Sequence, residues 1–197
     1  RIIFFIFVFF LCHVLTGDWF QAAGPSGNFV SKGSASVTFS VSKNEGVCWR
    51  VKLPSTGQGT PVVSKGRVFV TSHDEITQDS QIGSSILGMC FDAVTGRELW
   101  RRRLDGTRKT DLSSLFSDNT AASPVTDGTR VVFVNVGGTI KCFDFDGTEL
   151  WSHTWTPFGR HHARAHEPIL HDGKVILMHA PRYDLPVSAT TKAVSYT

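Results

Sequence analysis

Histidine and arginine are concentrated in one stretch, Gly159-Arg160-His161-His162-Ala163-Arg164-Ala165-His166-Glu167-Pro168, with His171 following. Three uses of that chemistry are open. His162 and His166 are four apart, so on a helix both imidazoles would share a face and could hold zinc. Against a helix, no cap precedes the segment and Pro168 favours an extended Glu167. His171 follows His166 by five, so His-Glu-x-x-His is not met. Alternatively, Arg160, Arg164 and a charged histidine among His161, His162 and His166 could grip a phosphate or carboxylate, because guanidinium groups pair with such anions bidentately. The third use is structural, as a connecting loop whose polar groups hydrogen-bond the neighbouring unit.

Elsewhere the reactive residue types have plainer readings. Asp92 and Asp144 stand at the same place in a repeated motif, which points to a carboxylate closing a turn through backbone N–H groups rather than to a catalytic pair. Arg101-Arg102-Arg103, with Arg108 and Lys109, forms a basic patch, but strand alternation would send successive arginines to opposite faces. A solvated strand end is expected there. His73-Asp74-Glu75 with Asp79 offers oxygen ligands without the spacing of a calcium loop. No Ser-His-Asp elbow, phosphate loop or zinc-type cysteine pattern is present, so no catalytic residue is assigned. With Lys+Arg 20 against Asp+Glu 17, the net charge of +3 gives little support to nucleic-acid binding.

The elements that must position these residues come from self-similarity. Met89-Cys90-Phe91-Asp92-Ala93-Val94-Thr95-Gly96-Arg97-Glu98-Leu99-Trp100 recurs, one residue shorter, as Lys141 to Trp151. Trp49, Trp100 and Trp151 are spaced by 51 residues. A second element, Thr60-Pro61-Val62-Val63 with Gly66, recurs as Ser123-Pro124-Val125 with Gly128 and as Glu167-Pro168-Ile169-Leu170 with Gly173. Each unit reads as four short strands: a Pro-led strand, a β-branched strand after a glycine turn, a strand ending in Cys-Phe-Asp, and a strand carrying Glu-Leu-Trp. No stretch keeps a capped helical period, and the charged fraction of 19% is below the usual ~25%, as suits a β-rich chain. Four antiparallel strands repeated every ~40–50 residues is the pattern of a β-propeller. Neighbouring sheets would bury each other's faces, with tryptophan at the joint.

The first residues read as an address. Ile2 to Cys12 is uninterrupted apolar sequence behind Arg1. It is too short for a span of ~20 residues and fits the apolar core of a signal peptide. A lipoprotein signal would need a small residue before Cys12, where Leu11 stands. Without Cys12, three cysteines remain and cannot all pair. Cys90 and Cys142 hold equivalent places in adjacent sheets ~10 Å apart, beyond the ~7 Å a disulfide permits. They are expected to be separate buried thiols, which leaves a bridge from Cys48 to one of them as the remaining option.

Asp-x-x-Thr-Gly-x-x-x-Trp is complete at Asp92, Thr95, Gly96 and Trp100, and the shorter copy keeps Asp144, Gly147 and Trp151. This resembles the repeat of quinoprotein-type (pyrroloquinoline quinone-like) β-propellers. The opening Asp18-Trp19-Phe20-Gln21 with Gly24-Pro25-Ser26-Gly27 is similar to the entry segment of exported members, common in planctomycete-like bacteria. The resemblance covers nearly all of residues 18–185. It implies that Gly96, Trp100, Gly147 and Trp151 make the docking contacts between blades. The family divides by function. Some members are dehydrogenases holding the quinone and a calcium ion on the propeller axis, typically over a vicinal disulfide, and no Cys-Cys pair occurs here. Others are non-enzymatic and bind partners.

The expected fold is therefore all-β, a partial β-propeller of four-stranded antiparallel blades. Residues 1–17 are expected to be a signal peptide truncated at its start. Residues 18–197 are expected to be a fragment holding about two complete blades plus part of a third. The expected function is a non-catalytic exported scaffold, periplasmic or extracellular, that binds a protein or small ligand through loops. It would have no nucleic-acid partner and no membrane span after signal removal. The alternative is part of a quinone-dependent dehydrogenase whose catalytic residues lie in a missing region, with pyrroloquinoline quinone and calcium as its cofactors. No cofactor is evident from the residues themselves.

Overall fold

The computed structural model describes residues 17–31, 38–74, 85–107, 118–156 and 167–178, together with the backbone of 193–196. Apart from Gly17, the expected signal segment lies outside the described residues. Among the described residues there is no α-helix, and none is long and apolar enough to cross a membrane.

Three antiparallel sheets follow one another along the chain. The first has β1 (Val62–Ser64), β2 (Arg67–His73), β3 (Ser85–Asp92) and β4 (Glu98–Asp105), each paired with the next. The second repeats this order with β5 (Val125–Thr126), β6 (Arg130–Asn135), β7 (Thr139–Asp144) and β8 (Glu149–Thr154). The third has β9 (Ile169–His171), β10 (Lys174–Met178) and β11 (Ala193–Tyr196). The registers superimpose: Val62, Phe69, Cys90 and Trp100 lie in one row across the first sheet, as Val125, Val132, Cys142 and Trp151 do across the second. In the third sheet the row is Ile169, Ile176 and Ser195. The expectation of an all-β propeller built from four-stranded antiparallel blades therefore holds.

The strands form where they do because alternation supplies two apolar faces. Phe69, Ile86, Cys90, Trp100 and Leu104 of the first sheet meet Val131, Phe133 and Phe143 of the second. The intervening residues of the second sheet, Val132, Val134, Ile140 and Cys142, meet Val175 and Leu177 of the third. On its other side the first sheet packs Leu87, Met89 and Phe91 with Leu53, Val68 and Val70. A period of two thus places consecutive residues in different layers of core. Cys90 and Cys142 occupy different layers and are free, buried thiols, which closes the Cys48 option too. Burial pushes each thiol up to about 11.

One contact sets how adjacent sheets stack. Trp100, near the start of β4 in the first sheet, lies over Gly147 in the turn of the second, its indole N–H donating to the Phe145 carbonyl at 2.9 Å. Trp49 does the same to the first sheet, over Gly96, donating to the Ala93 carbonyl at 2.9 Å. Both glycines have positive φ, 71° and 84°, and a Cβ at either would come within 3 Å of the tryptophan ring. Only glycine meets both demands. Asp92 and Asp144 shape these turns. Asp92 Oδ1 accepts from the backbone N–H of Val94 and Thr95 and from the Thr95 hydroxyl, while Asp144 Oδ1 accepts from the N–H of Asp146 and Thr148. Those hydrogen bonds hold both carboxyls below the usual carboxylate range.

The arginine triplet is exposed on β4, as expected of a solvated strand end, and each of its arginines is also engaged by a partner. Arg102 Nε donates to the Gly147 carbonyl at 2.7 Å, with its guanidinium 5.8 Å from the centre of the Trp100 ring. Arg101 pairs with Glu98, and Arg103 with Asp74 and Asp105. Carboxylates within reach on the same sheet, and a carbonyl on the next, capture all three.

Replacing Gly147 by Ala should lower stability by about 1–3 kcal/mol, because strain at positive φ adds to the clash with Trp100. Denaturant unfolding of Gly147→Ala against Gly66→Ala, where a Cβ would meet nothing within 4 Å, separates the clash from the backbone strain. Equal losses at the two sites would show that the ring contact contributes nothing.

Candidate functional site

Strand direction makes the two ends of the blades unlike. At one end the connections are tight: Lys65-Gly66, the turns at Gly96 and Gly147, and Asp172-Gly173. At the other end β2, β4, β6 and β8 finish, and β3, β5, β7 and β9 begin. Between the first two sheets this second end is buried and polar, a combination that folding tolerates only where partners are supplied.

His73, the last residue of β2, is 2% exposed. Its Nε2 lies 3.1 Å from Asp118 Oδ2, at ion-pair distance but off the line a hydrogen bond needs. Its Nδ1 meets no hydrogen-bond partner among the described residues. Asp118 is oriented from its other side, where Oδ1 accepts from the backbone N–H and hydroxyl of Thr120. Burial pushes the Asp118 carboxyl up, but the contacts with His73 and Thr120 more than reverse this and leave it below the usual carboxylate range. Gln58 ties the cluster to the approach to β1: its N–H donates to Thr120 Oγ1, and its Oε1 accepts from the Asp118 N–H, both at 2.9 Å. Beside this cluster, Ser85 donates to Asp105, and Arg103 reaches Ser85, Asp105 and Asp74.

A second set links all three sheets. The residues that precede the prolines, Thr60, Ser123 and Glu167, form a chain from blade to blade. Thr60 N–H donates to Ser123 Oγ at 2.8 Å, Ser123 N–H to Glu167 Oε2 at 2.7 Å, and Ser123 Oγ–H to Glu167 Oε1 at 3.0 Å. Glu167, the end of the histidine-rich stretch, thus bonds the neighbouring blade. Arg160, His161, His162, Arg164 and His166 lie outside the described residues, as do Glu75 and Asp79. Asp74 is engaged by Arg103.

Sequence reading missed His73 and Asp118 as a pair. They are 45 positions apart in no motif, and His73 was grouped with its acidic neighbours. The available signal was position: Asp118 falls just before the recurring Pro-led strand, where one blade hands over to the next.

The stacked four-stranded sheets, the Gly–Trp joints and the repeated registers define a β-propeller of pyrroloquinoline quinone-like repeats. Residues 85–191, more than half of the chain, match the family model PQQ_2, described as outer membrane protein assembly factor BamB, and the chain belongs to that family. Solved structures similar to it include BamB from Moraxella catarrhalis, with 20% identity and a TM-score of 0.46 over 68% of this chain and 38% of that one. Another is the quinohemoprotein alcohol dehydrogenase ADHIIG from Pseudomonas putida HK5, with 16% identity and a TM-score of 0.39 over 67% of this chain and 18% of that one. The chain therefore spans less than two-fifths of either. No curated protein matches it.

Among the described residues no three His, Cys, Asp or Glu side chains converge. Asp118 is held by His73 and Thr120.

Asp118→Ala should cost about 2–4 kcal/mol, because the Thr120 N–H and hydroxyl and the His73 ring lose their only charged partner in the cluster. The folded carboxyl is depressed below 3.8. Its stabilising effect is therefore full above that value and is lost as pH falls through the folded one. Thermal unfolding of wild type and variant should differ by a constant amount from pH 7 to about 5, and the gap should narrow as pH falls below about 4. A gap that persists unchanged to pH 2 would show that the carboxylate charge plays no part.

Proposed function

We propose that this protein is an exported propeller scaffold that binds a protein partner through the connection end of its blades. The observation that carries this reading is the asymmetry of the two ends. Tight turns close one end, while β2 to β3, β4 to β5 and β8 to β9 are joined at the other by connections of more than ten residues. Long connections on a rigid stack of sheets are where binding residues collect. The buried cluster of His73, Asp118, Thr120 and Gln58, together with the chain from Thr60 to Glu167, anchors both sides of those connections. The family description, an outer membrane protein assembly factor, supports a protein as the partner and the cell envelope as the place. In this reading the histidine-rich stretch of Arg160, His161, His162, Arg164 and His166 is the segment that contacts that partner.

A photo-crosslinking amino acid at Thr154, on the connection end, should give a discrete cross-linked partner in the bacterial envelope, whereas one at Val94 or Asp146, on the turn end, should not. Cross-links from the turn end alone would overturn the reading. So would dye-linked alcohol or sugar oxidation after incubation with pyrroloquinoline quinone and calcium.

A further inference from the structure

Residues 18–24 bond the first two sheets along the edge opposite the Trp100–Gly147 joint. β1 and β5, the first strands of those sheets, lie side by side, as innermost strands do around the axis of a propeller. One edge of each is paired, β1 with β2 and β5 with β6. The other edge faces the axis, where a strand presents a row of open N–H and C=O groups. Residues 18–24 reach both of these edges. Trp19 and Val63 exchange two backbone hydrogen bonds, at 2.7 and 2.9 Å, and the Thr126 N–H donates to the Phe20 carbonyl at 2.9 Å. Consecutive residues thus bond different blades. Beside them, Asp18 Oδ1 accepts from the Lys65 N–H at 3.0 Å.

The segment is also clasped to itself. The Trp19 indole N–H donates to the Ala22 carbonyl at 3.3 Å, Gln21 Nε2 donates to the Gly24 carbonyl at 3.3 Å, and the Gly24 N–H donates to the Gln21 carbonyl at 2.8 Å. The Trp19 ring lies against Gly24, which has φ 77° and where a Cβ would come 2.8 Å from the ring. None of the three apolar cores between and beside the sheets includes a residue of 18–24. Releasing the segment would break its hydrogen bonds to β1, β5 and Lys65 while leaving the packing between the sheets in place. Few apolar contacts to the body of the protein are what make a segment open locally, without global unfolding.

We propose that residues 18–24 form a strap over the axial edges of the first two blades, and that it opens as a unit while the sheets stay intact. Closed, it ties β1 to β5 from inside. Open, it uncovers two neighbouring strand edges, a surface to which an extended peptide can add by backbone pairing. The strap lies at the turn end, where Asp18 meets Lys65, so it does not depend on what the connection end binds.

Native-state hydrogen exchange on the full chain reads the strap directly, because the Val63 and Thr126 amides donate to it and not to their own sheets. Both should exchange at least a hundredfold more slowly than an unstructured amide. Their rates should barely change from 0 to about 1 M urea, since a local opening exposes little surface. Leu87 and Ile140, on the central strands β3 and β7, should exchange at rates that rise steeply over the same range. Trp19→Ala, and separately Gly24→Ala, should speed exchange at Val63 and Thr126 at least tenfold and change it at Leu87 and Ile140 less than twofold. Exchange of all four amides in step, across urea or in both variants, would overturn the proposal. So would Val63 and Thr126 amides that are unprotected in the wild type.

Discussion

The architecture depends on a flat ring meeting a residue that has no side chain. A four-stranded sheet with both faces apolar cannot stand alone in water, and stacking is what buries it. Stacking by apolar contact alone would leave the sheets free to slide and rotate. The Trp100 indole removes that freedom. It seats on the backbone of Gly147, donates its one polar hydrogen to Phe145, and is covered from outside by Arg102, itself bonded to Gly147. Aspartate at the start of each turn then has a clear purpose. By gathering backbone N–H groups, Asp92 and Asp144 hold the glycine in the conformation that presents a bare surface to the ring.

Fixing one end of each joint leaves the other end available for polar chemistry. The sheets are registered at their turn end by Trp–Gly contacts and joined toward the connection end by His73, Asp118, Thr120 and Gln58, and by the chain through Thr60, Ser123 and Glu167. These polar groups are costly to bury and are held by partners drawn from different blades. A rigid stack with its connections gathered on one side suits a scaffold that presents loops, and the cluster beneath the first connections is where loop position and blade packing are coupled.

The repeat made most of the fold legible. Strand rows, turn glycines, docking tryptophans and the separation of the two buried cysteines all follow from residues recurring at a fixed interval, because identical local chemistry must form identical local structure. The polar cluster did not follow. His73, Asp118 and Gln58 occur once each, far apart, and nothing in their neighbours distinguishes them from surface loop residues. The arginine triplet was legible as an exposed stretch of strand, but its partners were not, for a related reason. Alternation along a strand correctly separates Arg101, Arg102 and Arg103, but it says nothing about a carbonyl on the next blade, and that carbonyl is what Arg102 found.

Sequence alone thus determined what each unit is: four short antiparallel strands, two apolar faces, a glycine turn under aspartate control, and a tryptophan to pass on to the next unit. These are local properties, set by φ/ψ preference and by a period of two. Tertiary structure alone decided which residues meet across the joints. It paired a buried histidine with an aspartate 45 positions away, turned three pre-proline residues into a line of hydrogen bonds, and seated Trp49 on Gly96 across 47 positions of chain. Those outcomes depend on the stacking of whole sheets, whose energy is summed over many weak apolar contacts and carries no short signature in the chain.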